Sequence, residues 1–202
     1  MNVEQVRASD DDAVARATLA LDAGHLAVVP TDTLYGLAAD ALDEDACLAV
    51  FRAKERPPDQ PLPVCVADLE DARHVAHVTP LARRLAERFL PGAVTLVLPA
   101  RDTVPDVVTA AGPTVAVRVP ANAFARALAA HFGPFTVTSA NVHKRPPART
   151  IDEAVAQLGD RVALYVDDGP LPGTASTMVD ATGASVKVIR EGAVAASTFE
   201  GF

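Results

Sequence analysis

Tryptophan is absent from this 202-residue chain, aromatic residues make up only 4%, and cysteine occurs twice. Each shortage narrows the classes of function open to it. Few aromatic faces leave little on which bases of a single strand could stack. Cys47 and Cys65 stand 18 positions apart without a C-x-x-C pair, so they make neither a redox nor a metal motif. Cys47 shares a helical face with Val50 and Phe51 and reads as a packed core thiol. No apolar run approaches the roughly 18 residues that span a bilayer. The opening MNVEQVRASDDDAV is polar and acidic, unlike the apolar core of a secretory signal, so a soluble cytoplasmic protein is expected. Formal net charge of -8 argues against a surface coated for nucleic acid but leaves room for a local cationic cleft. G-x-x-x-x-G-K-[ST], H-E-x-x-H and G-x-S-x-G are all missing, so P-loop, zincin and hydrolase-elbow chemistry have no footing. His74 and His77 lack a third ligand and read as a surface helix; no metal site is expected.

What is present is an apolar chain, 50% hydrophobic, long enough for one domain with an ordinary core. Helices are predicted over 9–23 with Ser9 as N-cap, 43–53, from Pro80 behind a Thr79 cap, and 122–131. A further helix opens at the capping box Thr150-Ile-Asp-Glu153. Strands are predicted at 26–30, 62–66, VTLVLP, 114–120, 135–140, VALYVDD, TMVDAT and VKVIRE. The last three have no helix between them, which predicts a mixed sheet. The whole chain, 1–202, is expected to be one α/β domain.

Polar residues that break the pattern gather at strand ends. PTDTLYG places Thr31, Asp32 and Thr33 after the first strand predicted here, and Arg118 interrupts the apolar run TVAVRVP. Ser139 and Asn141 end another strand before the basic HKRPPAR, and GTAST and Arg190 come near the end of the chain. In FRAKERPPDQPLPV, Lys54 and Arg56 precede four prolines. Cations there suit a helix C-terminus as well as an anion site, and both readings stand. Arg118 between two valines calls for a buried anion, whereas Thr31, Thr33, Ser139 and Asn141 taken alone read as turn residues. In open α/β sheets ligands gather where strands end, so these segments are candidates for a single anion-binding cleft.

Seven stretches occur in order over 30–192: PTDTLYGLAADA, K-x-R-P with P-L-P-V behind it, PGAVTLVLP, TVAVRVP, SAN, STMVD and VKVIREG. The set resembles the YrdC-like family, the L-threonylcarbamoyladenylate synthases, in its short single-domain form. That resemblance implies a twisted mixed sheet flanked by helices around a cationic concave cleft. It implies that L-threonine, bicarbonate and ATP are condensed to threonylcarbamoyl-AMP and pyrophosphate, with Mg²⁺ bridging phosphates. Partner proteins then transfer the group to the tRNA adenosine next to the anticodon. By position, Lys54 and Arg56 fall at catalytic, phosphate-facing places. ATP contacts are implied for Lys54, Arg56, Gln60, Thr114, Ser139, Asn141, Arg149 and Arg190. Threonine contacts are implied for Thr33, Cys65, Arg118, Ser139 and Ser176.

The chain departs from the family pattern at three points. Cys65 stands where His is usual, Val142-His143-Lys144-Arg145 replaces the usual x-S-G, and Arg149 replaces a hydroxyl residue. The altered basic loop could touch ATP or RNA directly. An alternative function, an RNA-binding module using the same cleft without catalysis, predicts steep salt dependence and indifference to threonine. A carbamoyltransferase of hydrogenase maturation shares the domain type but carries further domains that are not expected here.

Overall fold

The computed structural model describes residues 3–202. Its strands are β1 (Glu4–Arg7), β2 (Ala27–Pro30), β3 (Tyr35–Asp40), β4 (Val64–Cys65), β5 (Val94–Pro99), β6 (Thr114–Arg118), β7 (Phe135–Ser139), β8 (Leu164–Asp167), β9 (Thr177–Asp180) and β10 (Lys187–Arg190). Six helices accompany them: α1 (Ala13–Asp22), α2 (Glu44–Lys54), α3 (Pro80–Phe89), α4 (Asp106–Thr109), α5 (Ala123–Phe132) and α6 (Ile151–Leu158). All ten strands join one sheet in the order β1-β8-β2-β3-β7-β4-β6-β5-β9-β10. It is mixed: β8 lies parallel to β1 and β2, and β5 parallel to β9, while β3 is antiparallel to both its neighbours.

Local chemistry explains most helix ends. Thr79 accepts the Ala82 N–H at 3.0 Å ahead of Pro80, and Asn122 accepts the Ala125 N–H at 3.1 Å. The capping box at α6 is offset by one residue. Thr150 accepts from the Glu153 N–H at 3.3 Å, but the Glu153 carboxylate takes the Arg149 N–H at 2.8 Å rather than that of Thr150. Helix α1 starts at Ala13, not Ser9, because Asp10 turns back to accept the Arg7 N–H at 2.8 Å and holds the acidic stretch in a turn.

Two strands escape the sequence pattern. β1 is a polar edge strand with only Val6 buried. β3 is built from Tyr, Gly, Leu, two Ala and Asp, a poor strand composition, yet all but Asp40 are buried between β2 and β7. Gly36 permits that packing, since a Cβ there would lie 2.3 Å from Val137 Cγ2. The strand predicted at 62–66 shortens to Val64–Cys65, because Pro61 and Pro63 bring no N–H to the ladder.

The two faces of the sheet are covered unequally. On one, Leu37, Val64, Leu96 and Val117 pack with Val50 and Phe51 of α2, Leu85 of α3, Val108 of α4 and Leu158 of α6. On the other, Val29, Ala38, Cys65, Phe135 and Val137 pack with Leu21 of α1 and Leu128 of α5. The β5–β6 register sets Thr95 opposite Arg118 and Pro99 opposite Thr114, and continues that second face toward β9. There Val97, Pro99, Thr114 and Met178 are only half-buried. The candidate site lies at this edge of the helix cover.

Candidate active site

The turn between β2 and β3 is folded around one hydroxyl. Thr31 Oγ1 accepts the N–H groups of Thr33 and Leu34 at 3.2 and 3.1 Å and donates to the Leu34 carbonyl at 2.7 Å. This presents Asp32 and Thr33 to Arg118, at the end of β6 and only 6% exposed. The guanidinium is held on three sides. Nη1 donates to Thr33 Oγ1 at 2.8 Å, Nη2 to Asp32 Oδ1 at 2.9 Å and Nε to the Gly92 carbonyl at 3.3 Å. The anion that Arg118 called for is therefore Asp32, half-buried rather than buried, which also accepts the Ala121 N–H at 3.0 Å. A guanidinium carries five N–H donors, so two remain for a ligand.

Arg118 and Thr33 line a cavity of about 270 Å³ together with Ser139, Ser176, Arg190 and Thr95. Thr95 and Ser176 touch through their hydroxyls at 2.8 Å. Arg190, otherwise exposed, donates from Nη2 to the Ser176 carbonyl at 2.8 Å and ties β10 to that wall. Tyr35 backs the cavity with its hydroxyl turned away, donating to the Gly169 carbonyl at 2.7 Å; burial raises its pKa above the ordinary range.

Behind Ser139 lies a second buried cation. Lys54 closes α2 and is 3% exposed. Its Nζ donates to the Ser139 carbonyl and, at 2.8 Å, to the Asn141 carbonyl. Among the described residues no carboxylate pairs with it, and burial, aided by Arg56, pushes its pKa down to about 7. Asn141, 6% exposed, donates from Nδ2 to the carbonyls of Val142 and Arg145, both at 2.8 Å. Lys54 and Asn141 thus clamp the turn after β7 from within. Within that turn Lys144 adopts the left-handed conformation, at φ 66°.

The remaining residues singled out in the sequence spread around this core. Arg56 lies over the Phe51 ring at 5.4 Å and donates to the Gln60 carbonyl at 3.1 Å, closing the proline loop on itself. Gln60 is exposed on that loop. Thr114 sits four residues along β6 from Arg118, and the β4–β6 register, Val64 opposite Val117, carries it toward the Gln60–Pro61 turn. Arg149 is exposed, and its side chain packs on Gly173, where a Cβ would lie 2.9 Å from Arg149 Nε. Cys65 does not line the cavity. It pairs in register with Arg118 and Phe135, is fully buried, and burial pushes its thiol up to about 12. Five of the twelve residues, Thr33, Arg118, Ser139, Ser176 and Arg190, meet in the cavity. Lys54 faces carbonyls rather than the cavity, because its short reach from α2 is spent on the β7 turn.

The sequence reading left out Asp32 as the partner of Arg118, and Thr95. The first needed two segments 86 positions apart to be brought together. The second is a β-branched residue in a strand, where threonine draws no notice. Among the described residues no group of three or more His, Cys, Asp or Glu could hold a metal ion, and no helix is long and apolar enough to cross a membrane.

Comparison with known proteins agrees with this architecture. The Sua5/YciO/YrdC family model, described as "Telomere recombination", matches residues 19–192. A Mycobacterium tuberculosis relative is 40% identical over 183 residues, covering 90% of this chain and 84% of its own length. The threonylcarbamoyl-AMP synthase of Bacillus subtilis is 33% identical over 99% of this chain and 59% of its own. The crystal structure of Pyrococcus abyssi Sua5 complexed with L-threonine superposes with a TM-score of 0.89 at 35% identity, over 95% of this chain and 58% of that one. With a matching fold and this coverage, the chain belongs to the Sua5/YciO/YrdC family.

Proposed function

We propose that this protein is a threonylcarbamoyl-AMP synthase, condensing L-threonine, bicarbonate and ATP to threonylcarbamoyl-AMP and pyrophosphate. One observation carries the reading: a cavity of about 270 Å³, roomy enough for an amino acid, built around a guanidinium with two unspent N–H donors and ringed by hydroxyls. In this reading Arg118 takes the amino-acid carboxylate in the plane that Asp32 and Thr33 fix for it. The threonine amine attacks bicarbonate carbon and water leaves, giving a carbamate. A carbamate oxygen then attacks the α-phosphorus as the bond to pyrophosphate breaks. Nucleophile and leaving group are both anions, so no protein nucleophile is required, and alignment with charge stabilisation is the protein's contribution.

The nucleotide belongs on the side of Ser139, Asn141, Arg56, Gln60 and Thr114, with Arg149 and Arg190 reaching it from the opposite wall. Lys54 acts there by holding the Ser139–Asn141 turn. Among the described residues there is no carboxylate cage for Mg²⁺, which would ride on the triphosphate and neutralise its charge. Transfer of the threonylcarbamoyl group to tRNA falls to partner proteins, in the cytoplasm where ATP and tRNA meet. A small cavity centred on a fixed guanidinium and several hydroxyls supports this reading over an RNA-binding module, which needs an extended track for backbone.

Mass spectrometry of reactions with ATP, Mg²⁺ and bicarbonate, with and without L-threonine, tests it. Threonylcarbamoyl-AMP is expected only with threonine, and at less than about one-hundredth of the wild-type rate in Arg118→Ala. No adenylate from the wild-type protein overturns the proposal.

A further inference from the structure

Thr95 and Ser176 face each other inside the cavity with 2.8 Å between their hydroxyl oxygens, 1% and 7% exposed. Two hydroxyls carry two hydrogens, and their mutual bond uses one. Among the described residues neither hydroxyl bonds any other group, so one O–H is left over at the wall of the cavity. An unmade bond of that kind is costly unless a polar ligand completes it. Thr95 also lies directly opposite Arg118 across β5 and β6, and opposite Met178 across β5 and β9. The pair is thus about one strand spacing, roughly 4.8 Å, from the strand that carries the carboxylate anchor.

We propose that Thr95, acting with Ser176, selects an amino acid bearing a side-chain hydroxyl. The inference rests on the reading of the cavity as the amino-acid site and deepens it by naming the specificity determinant. Between them the two groups offer one free donor and open acceptor sites, the complement of a hydroxyl that both accepts and donates. An amino acid without that hydroxyl leaves the buried O–H unmet, and rejection follows from this deficit rather than from size.

Isothermal titration of L-threonine and of L-2-aminobutyrate, which keeps the methyl and lacks the hydroxyl, reads the selection directly. Wild-type protein, Thr95→Val and Thr95→Ser are compared, with adenylate formation measured in parallel. The expected result is an affinity ratio favouring threonine that falls at least tenfold in Thr95→Val and recovers in Thr95→Ser. Because the ratio is taken within each variant, partial loss of folded protein cancels. An unchanged ratio in Thr95→Val overturns the inference while leaving the synthase reading intact. Binding with a Thr95-dependent ratio but no adenylate sinks the synthase reading and keeps the selection. If neither amino acid binds the wild-type protein, both fall.

Discussion

Replacing Asp32 by alanine isolates the interaction on which the cavity is built. Among the described residues Asp32 is the only carboxylate paired with Arg118, and the two side chains are 19% and 7% exposed. The substitution strips Arg118 Nη2 and the Ala121 N–H of their shared acceptor while leaving a guanidinium out of water. Removing one partner of a buried pair costs about 3–5 kcal/mol. Asp32 is near enough to solvent for water to enter its place, which brings the expected loss below that range, to about 2–3 kcal/mol. For a domain of this size that is a fall in Tm of roughly 5–10 °C. Urea titration at pH 7 should show a lower midpoint with an unchanged slope.

The decisive step is the cycle with Arg118→Met, which keeps an apolar stem and removes the charge. In that background Asp32→Ala should cost less than about 1 kcal/mol, since no stranded cation remains and only the Ala121 N–H loses a partner. Equal losses in both backgrounds would refute the view that Asp32 serves Arg118.

Three further outcomes follow from the geometry. Gly36→Ala should lose about 1–3 kcal/mol in urea titration, because its Cβ meets Val137 Cγ2 at 2.3 Å, and part of that should return with Val137→Ala; no loss would mean that β3 and β7 can shift apart. Lys54 is held at a pKa of about 7 against an ordinary 10.5, so the unfolded chain binds more protons between those values and stability rises with pH there. Relative to Lys54→Met, wild-type stability should therefore climb by up to about 1.4 kcal/mol per pH unit across that window, and parallel curves would show an ordinary lysine. Cys65, fully buried with its thiol pushed up to about 12, should resist iodoacetamide at pH 8 until urea unfolds the chain; native labelling at Cys65 would contradict its burial behind Arg118.

What could be read from the sequence was what is decided locally. Thr79-Pro80, Asn122 and Thr150 mark helix starts that the structure reproduces, since a cap and an apolar period lie within a few residues of each other. β3 was missed for the converse reason. Its alanines and glycine gain strand geometry only from β2 and β7 on either side, and β7 begins 95 positions after β3 ends. The site divides along the same line. Arg118 stood out because a charge inside an apolar strand violates a local pattern, whereas its partner, its depth and the hydroxyl beside it depend on sheet order.

The two buried cations meet the same problem in different ways, and the difference bears on how anions are received. Lys54 is satisfied by carbonyl dipoles, so its turn keeps whatever positive charge the ammonium holds. Arg118 is matched by a full carboxylate, and the pair together is close to neutral. A near-neutral pair exerts little long-range pull on an amino acid, which is itself a zwitterion at pH 7 and needs none. What the pair supplies is a fixed plane of N–H donors, hence selection by geometry. A triphosphate carries several negative charges and profits from attraction at a distance. In the proposed reaction that attraction comes from exposed cations that have no salt-bridge partner among the described residues, Lys144, Arg145 and Arg149 between β7 and α6 and Arg190 on β10, on a chain whose net charge is -8. Raising salt should therefore weaken ATP binding far more than L-threonine binding, because screening acts on the exposed charges and hardly on the buried pair. Titrating each substrate at about 0.05 and 0.5 M NaCl separates the two, and equal salt sensitivity would show that Arg118 attracts as an unpaired charge.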